Sequence, residues 1–466
     1  MKKRLSIVVL LLLIVSGCNG GSSSSSDSST TVTSISYRSE VREDVDQVLL
    51  DELHGAFLFF YETANDDENS PAYGLIPDRF HTHLDKPGTV SSIASVGFGL
   101  SMIPVGVEYE WISYEEASNR VLKTLITLEN LERVHGFYYH FLSMSTGRRV
   151  WDSEVSVIDT AILMNGVLTA GKYFGGEIEQ KANKLYEEVE WNWYFDDTTY
   201  RFYMSYKPEE GFSGSWSGYA EQLMMFVLSA GSPTYSLDKS PYLNMKYSSI
   251  LSSKTDAYDP FYLTWTGSLF TYQFSHAWID FRNIEDEKGV NWFTNSVNAT
   301  KAAIEFSKLY SNRYKSMHEN SWGLSASDGP NGYIGPYGIA PNSGSANVVD
   351  GTVPPYGAIG SIVFTPEESI KAIKHYRTYD KLWSKYGFKD AYNLGTVDGY
   401  EDESIKGKIP EGGWFATDII GIDKGISALM IENYISSFIW NIYMDIDYVK
   451  NGLEVLGFTP ISEGDK

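Results

Sequence analysis

The feature that most constrains the fold is an alternation of two kinds of helix signal along the chain. Residues 154–174, 220–230 and 426–444 are apolar nearly all round, whereas 40–63, 178–192 and 292–310 carry a polar face. A helix without a polar face is buried on every side, and an amphipathic one covers it. Two capping boxes support the pattern. Ser113-Tyr-Glu-Glu116 precedes Val121, Leu125 and Leu128, and Thr365-Pro-Glu-Glu368 places Pro366 at the favoured first helical position. Polar, Gly- and aromatic-rich loops separate the helices, notably 205–219 and 322–357. The expected architecture is all-α: one toroid of six helical hairpins, with an inner apolar ring and an outer amphipathic ring. Short pieces such as GFYYHFL (136–142) and RFYMSY (201–206) are expected as small β-hairpins on its rim.

The front of the chain reads differently. Lys2, Lys3 and Arg4 precede an apolar run, Leu5–Val15, that ends in Ser16-Gly17-Cys18. That run is too short for a lasting membrane span and matches a lipoprotein signal, residues 1–17, with lipidation at Cys18, the chain's single cysteine. Residues 18–38, with GGSSSSSDSSTTV at 20–32, read as a flexible tether, and 39–466 as one domain. The expectation is an extracytoplasmic monomer that meets the membrane only through its lipid. The formal net charge is −23, and loss of the signal with its three basic residues would leave −26. Such a body is repelled by nucleic acid and acidic polysaccharides, which leaves neutral substrates and disfavours a lyase acting on uronic acids.

No H-E-x-x-H pair, Cys–His zinc spacing, G-x-S-x-G elbow or P-loop occurs, so no metal or cofactor is expected. His81 and His83 make half a metal site at best and read as a solvated loop pair. What recurs is a Trp followed by an acid at the start of an apolar helix. Trp151 leads into Asp152 and Glu154, Trp216 into Glu221, and Trp414 into Asp418. If successive inner helices open onto one end, these acids converge there. Asp152 and Asp418 serve equally well as N-caps. Glu221 lies in GYAEQLMMFVL, where an apolar helix must desolvate it and raise its pKa, as a general acid requires; a structurally satisfied buried Glu is the alternative. Asp159, seven residues beyond Asp152, points the same way if the helix is regular there. Paired acids among many Trp and Tyr point to glycoside hydrolysis.

Eight ordered motifs carry a resemblance: GLIPDR (74–79), SIASVGFGL (92–100), VWDSEVSVIDTA (150–161), GYAEQLMMFVL (218–228), FTYQFSHAWIDFR (270–282), WGLSASDGP (322–330), YGIAPNSG (337–344) and WFATDIIGIDKG (414–425). Over about residues 45–450 the chain resembles the bacterial glycoamylase-like domain, a group that includes the endo-β-1,2-glucanases. The resemblance implies an (α/α)6 toroid and inverting endo-hydrolysis of β-1,2-glucan. It makes Glu221 the general acid and groups Asp152, Glu154, Asp159 and Asp418 as the other catalytic acids. It makes Trp216, Tyr219, Trp265, His276, Trp278, Asp280, Arg282, Trp322 and Trp414 sugar contacts, with core packing as the competing role for Trp265 and Trp278 and a structural ion pair for Asp280 with Arg282. An exo-acting, glucoamylase-like hydrolase on the same fold and a non-catalytic glycan-binding lipoprotein are the alternatives.

Overall fold

The computed structural model describes residues 37–38, 41–249, 257–344 and 347–462. The signal and the tether through residue 36 lie outside these residues, as does Cys18. The described chain is predominantly helical with small strand pairs. Its helices are α1 (Gln47–Glu62), α2 (Ile93–Glu108), α3 (Tyr114–Asn130), α4 (Val157–Phe174), α5 (Gly176–Glu187), α6 (Leu223–Gly231), α7 (Ser240–Leu243), α8 (Trp292–Tyr310), α9 (Pro355–Ile359), α10 (Pro366–Tyr376), α11 (Gly421–Ser436), α12 (Phe438–Tyr443) and α13 (Asp447–Val455).

The apolar helices form the inside. Helix α2 packs against α4 and α11, α4 packs against α6, and α1, α3, α5 and α13 cover them, while α10 packs against α9. Helices α2 and α4 approach closely because glycines face each other. A Cβ on Gly166 would stand 1.9 Å from the carbonyl oxygen of Gly97, and one on Gly97 2.4 Å from that of Ile162. Helix α2 was not legible from the pattern: it is buried from Ile93 to Gly106, rich in glycine and interrupted by Pro104.

Several boundaries move. The segment expected from residue 154 begins as a strand, 155–156, paired with 205–206, and turns helical at Val157. The late segment breaks at Ser437, whose left-handed backbone (φ 55°) separates α11 from α12. Ser113 caps α3 as expected, accepting from Glu116 N at 3.1 Å. Thr365 makes no capping bond, although Pro366 does open α10; its hydroxyl faces Ser369 instead. The two expected hairpins split: 137–138 pairs with 133–134 and 141–143 with 90–92, while 201–202 pairs with 195–196 and 205–207 with 211–213. Strand 79–81 pairs with 418–420, setting His81 opposite Asp418 and joining distant parts of the chain.

Candidate active site

The N-termini of α4, α6 and α11 carry acids that the fold draws into one row. At α4, Ser156 caps the helix by accepting from Asp159 N (3.2 Å) and donates to Asp159 Oδ2 (2.5 Å). His140, between two strands, bonds Glu154 Oε1 through Nδ1 at 2.9 Å, and its Nε2 lies 3.7 Å from Asp159 Oδ2. Burial alone would depress the imidazole's pKa, but Asp159, Glu154 and Asp78 outweigh it and raise it to about 9. His140 therefore stands charged between two carboxylates, and its hydrogen bond holds Glu154 below its ordinary range.

Glu221 sits on the turn that leads into α6. The Gln222 side chain clamps that turn, accepting from Ala220 N (2.8 Å) and donating to Gly218 O (2.5 Å). Ser275 secures it from outside, donating to Glu221 O at 2.5 Å and accepting from Met224 N at 3.0 Å. The carboxyl carried by this fixed turn is pushed up to about 7, first by desolvation and further by the negative charge of Asp159. It is thus poised to carry a proton near neutrality.

The row continues past Asp78, which feels both His140 and Asp159. Arg79 bonds Asp418 at 3.1 Å, Asp328 at 3.3 Å and Asp78 at 3.3 Å, and His81 lies 3.1 Å from Asp418. Asp328 N donates to Asp390 Oδ2 at 2.6 Å. Asp390 in turn shares a hydrogen bond with Asp423 in the first turn of α11; burial and neighbouring acids raise Asp390 to about 7 and Asp423 well above the usual range. The row is partly open to solvent at Glu154, His140, Arg79 and His81.

Of the expected catalytic acids, Glu154, Asp159, Glu221 and Asp418 join this row. Asp152 does not. It precedes α4 on an exposed turn with left-handed backbone (φ 49°), near Arg149, so the seven-residue helical stacking under Asp159 never forms. Several expected sugar contacts also prove to be core. Trp278 and Trp322 are fully buried, the first donating Nε1–H to Ser101 Oγ at 2.9 Å. Tyr219 packs on Trp292, and Trp216 is nearly buried. His276 lies 3.0 Å from Ser296 Oγ, with desolvation depressing its pKa to about 3. Aromatic residues beside buried helices are absorbed by packing. Asp280 and Arg282 pair with each other at 2.7 Å beside Trp440 and Ser437, at the C-terminal end of α11, roughly 22 Å along that helix from Asp418. Trp414 is half-buried on strand 414–415, and Trp265 stands 62% exposed.

Sequence reasoning missed Asp78, Arg79, His140, Asp328, Asp390 and Asp423. All but Asp390 stand inside stretches already quoted, His140 in GFYYHFL, and a polar or charged residue within an apolar stretch was the available signal. Asp390 carries none, since only pairing across the fold brings it to the row.

Comparisons place this arrangement among known proteins. The family model described as "Putative glucoamylase" matches residues 213–447. An exo β-1,2-glucooligosaccharide sophorohydrolase (non-reducing end) of Parabacteroides distasonis is 27% identical over 453 residues, covering 88% of this chain. The chain spans only 58% of that relative's length. Among solved structures, a protein from Bacteroides caccae described as a putative glucoamylase superposes with a TM-score of 0.77 at 26% identity, over 89% of this chain and 99% of its own. An endo-β-1,2-glucanase from Chitinophaga pinensis, in complex with sophorotriose and glucose, has a TM-score of 0.77 at 25% identity, over 90% and 99%.

Proposed function

The chain belongs to the family described as "Putative glucoamylase", whose model spans half of it, and from that membership and its acid row we propose that it hydrolyses β-1,2-linked glucan. The observation that carries the reading is Glu221: a desolvated carboxyl on a clamped turn, with a pKa near 7 and in the field of Asp159. As general acid it protonates the glycosidic oxygen, while a carboxylate from Glu154, Asp159 and Asp418 activates the attacking water, giving inversion. A neutral sugar suits this strongly acidic surface.

Helices α2, α4, α6, α9, α11 and the turns at 269–277 are read as the six inner members of an (α/α)6 toroid whose N-termini all face the substrate. The contacts among them support this. We read the body as a monomer tethered through lipid on Cys18 outside the cytoplasm, a reading carried by the sequence of residues 1–38.

Internal cleavage is the preferred mode, because the chain matches almost the whole of an endo-β-1,2-glucanase but only part of the sophorohydrolase. The named activity of that second relative favours exo release as the competing mode. Purified protein incubated with linear β-1,2-glucan, β-1,3-glucan and starch tests both. The expected result is a ladder of oligosaccharides from β-1,2-glucan alone, with the α-anomer formed first. Sophorose as sole early product establishes exo action, and inactivity on β-1,2-glucan overturns the reading.

A further inference from the structure

Trp151 is the most exposed of the large hydrophobic side chains among the described residues, at 69%. Its exposure is built rather than incidental. Trp151 (φ 58°) and Asp152 (φ 49°) are successive non-glycine residues in left-handed backbone, a conformation that persists only where the surroundings impose it. Those surroundings are on hand. Val150 N donates to Phe141 O (3.1 Å), Ser153 Oγ donates to Phe141 O (3.2 Å), and Arg149 Nε donates to Ser153 O (2.6 Å). The pinned turn holds the indole edge-on to Phe141 at 5.2 Å, and Phe141 stacks on His140 at 3.8 Å. Two ring contacts therefore link Trp151 to the histidine that holds Glu154 and Asp159.

Tyr333 has the matching place at the other end of the row. It lies opposite Asp328 in the hairpin 327–334, which Asn331 braces by donating to Ser404 O at 3.0 Å. Its residue surface is 47% exposed, and the negative field of Asp423, Asp390, Asp78 and Asp328 reaches its hydroxyl. Arg79 joins Asp328 to Asp78 and Asp418, and Asp78 lies in the field of Asp159 and His140, so the acids run from Tyr333 back to the histidine beside Phe141.

We propose that Trp151 and Tyr333 are sugar-stacking platforms at the two flanks of the acid row, so that a glucan chain is held along the row between them. The proposal rests on the glucan-hydrolase reading and deepens it. Flat aromatic faces bind the apolar faces of glucosyl rings, and a pair at the two ends of the row holds a long chain better than a short one.

The test compares Trp151→Ala and Tyr333→Ala with wild type on long linear β-1,2-glucan and on short oligosaccharides. Each variant is expected to raise KM on the long chain about tenfold while kcat stays within about twofold, the signature of lost uniform binding. Trp151→Phe should restore most of the affinity, and the melting temperature of Trp151→Ala should not move, since the ring is exposed. Affinity electrophoresis through gels containing β-1,2-glucan gives a second readout: in a Glu221→Gln background, retardation should weaken when Trp151→Ala is added. If wild type cleaves the glucan and both alanine variants keep its KM on long chains, only this inference is overturned. If wild type neither binds nor cleaves it, the functional reading falls first and this inference with it.

Discussion

Glu221 and Glu52 are both glutamates set among apolar helices, yet the two regions treat them in opposite ways. At the interface of α1 and α11, Glu52 is fully buried; its Oε1 accepts from Lys424 Nζ at 2.5 Å and its Oε2 from Phe388 N at 2.8 Å. Burial pushes its pKa up, while the lysine and the backbone donor pull it back. At the mouth of α6 the protein clamps the backbone of Glu221 and sets its carboxyl beside another acid. The first region neutralises a charge to hold helices together, whereas the second withholds neutralisation so that a proton stays available. Burial by itself does not distinguish a catalytic carboxyl from a structural one; the sign of the nearest charge does.

The same substitution at the two sites is the sharpest way to break this contrast. Glu221→Gln should cut turnover of β-1,2-glucan by roughly 10²–10⁴-fold, as loss of a general acid does. It should also stabilise the fold at alkaline pH. The folded-state pKa of about 7 lies above the ordinary carboxyl value, so the stability tied to this proton is complete in acid and lost as pH rises through 7. Thermal melts should therefore show a gain of about 3 kcal/mol at pH 8 and none at pH 4. An unchanged rate would remove Glu221 from its role.

Glu52→Gln should do the reverse. It leaves Lys424 buried without its counter-charge and should cost about 3–5 kcal/mol in denaturant titrations, while the rate per folded molecule stays within about twofold. A smaller change on pH comes next. The kcat/KM profile should fall above about pH 7 as Glu221 loses its proton. In Asp159→Asn that alkaline limb should move to lower pH, because the removed anion is what raises Glu221 beyond desolvation. A limb that stays in place would show that burial alone sets the value. The smallest effect belongs to Arg282→Ala, at the far end of α11. Its exposed pair with Asp280 is worth less than about 1 kcal/mol, and activity should be unchanged. A large rise in KM would return Arg282 to the sugar.

The contrast also marks how far the site was legible. Glu221 could be found because a lone carboxylate inside GYAEQLMMFVL has no local reason to be there. Glu52, beside Asp51 in a segment with a polar face, was not distinguished from its neighbours, since its partner is 372 residues away. Asp152 failed for a local reason: two left-handed residues precede the helix, and no periodicity argument foresees them. Trp322 and His276 failed for a tertiary one, and Trp278 took the core role that was its alternative, because nothing in a motif says whether an aromatic ring faces a ligand or the core.

The sequence by itself marked six of the helical segments and which of those are buried, because hydrophobic periodicity is a property of neighbours along the chain and survives any arrangement of the elements. It missed α2, whose glycines and Pro104 are poor helix formers in isolation and are retained because close packing of Gly97 against α4 requires small residues. Only the tertiary structure decided the protonation states. The pKa values of Glu221, His140 and Asp390 follow from desolvation and from charges contributed by other elements, and Coulombic terms depend on distance in space, which a linear spacing does not encode.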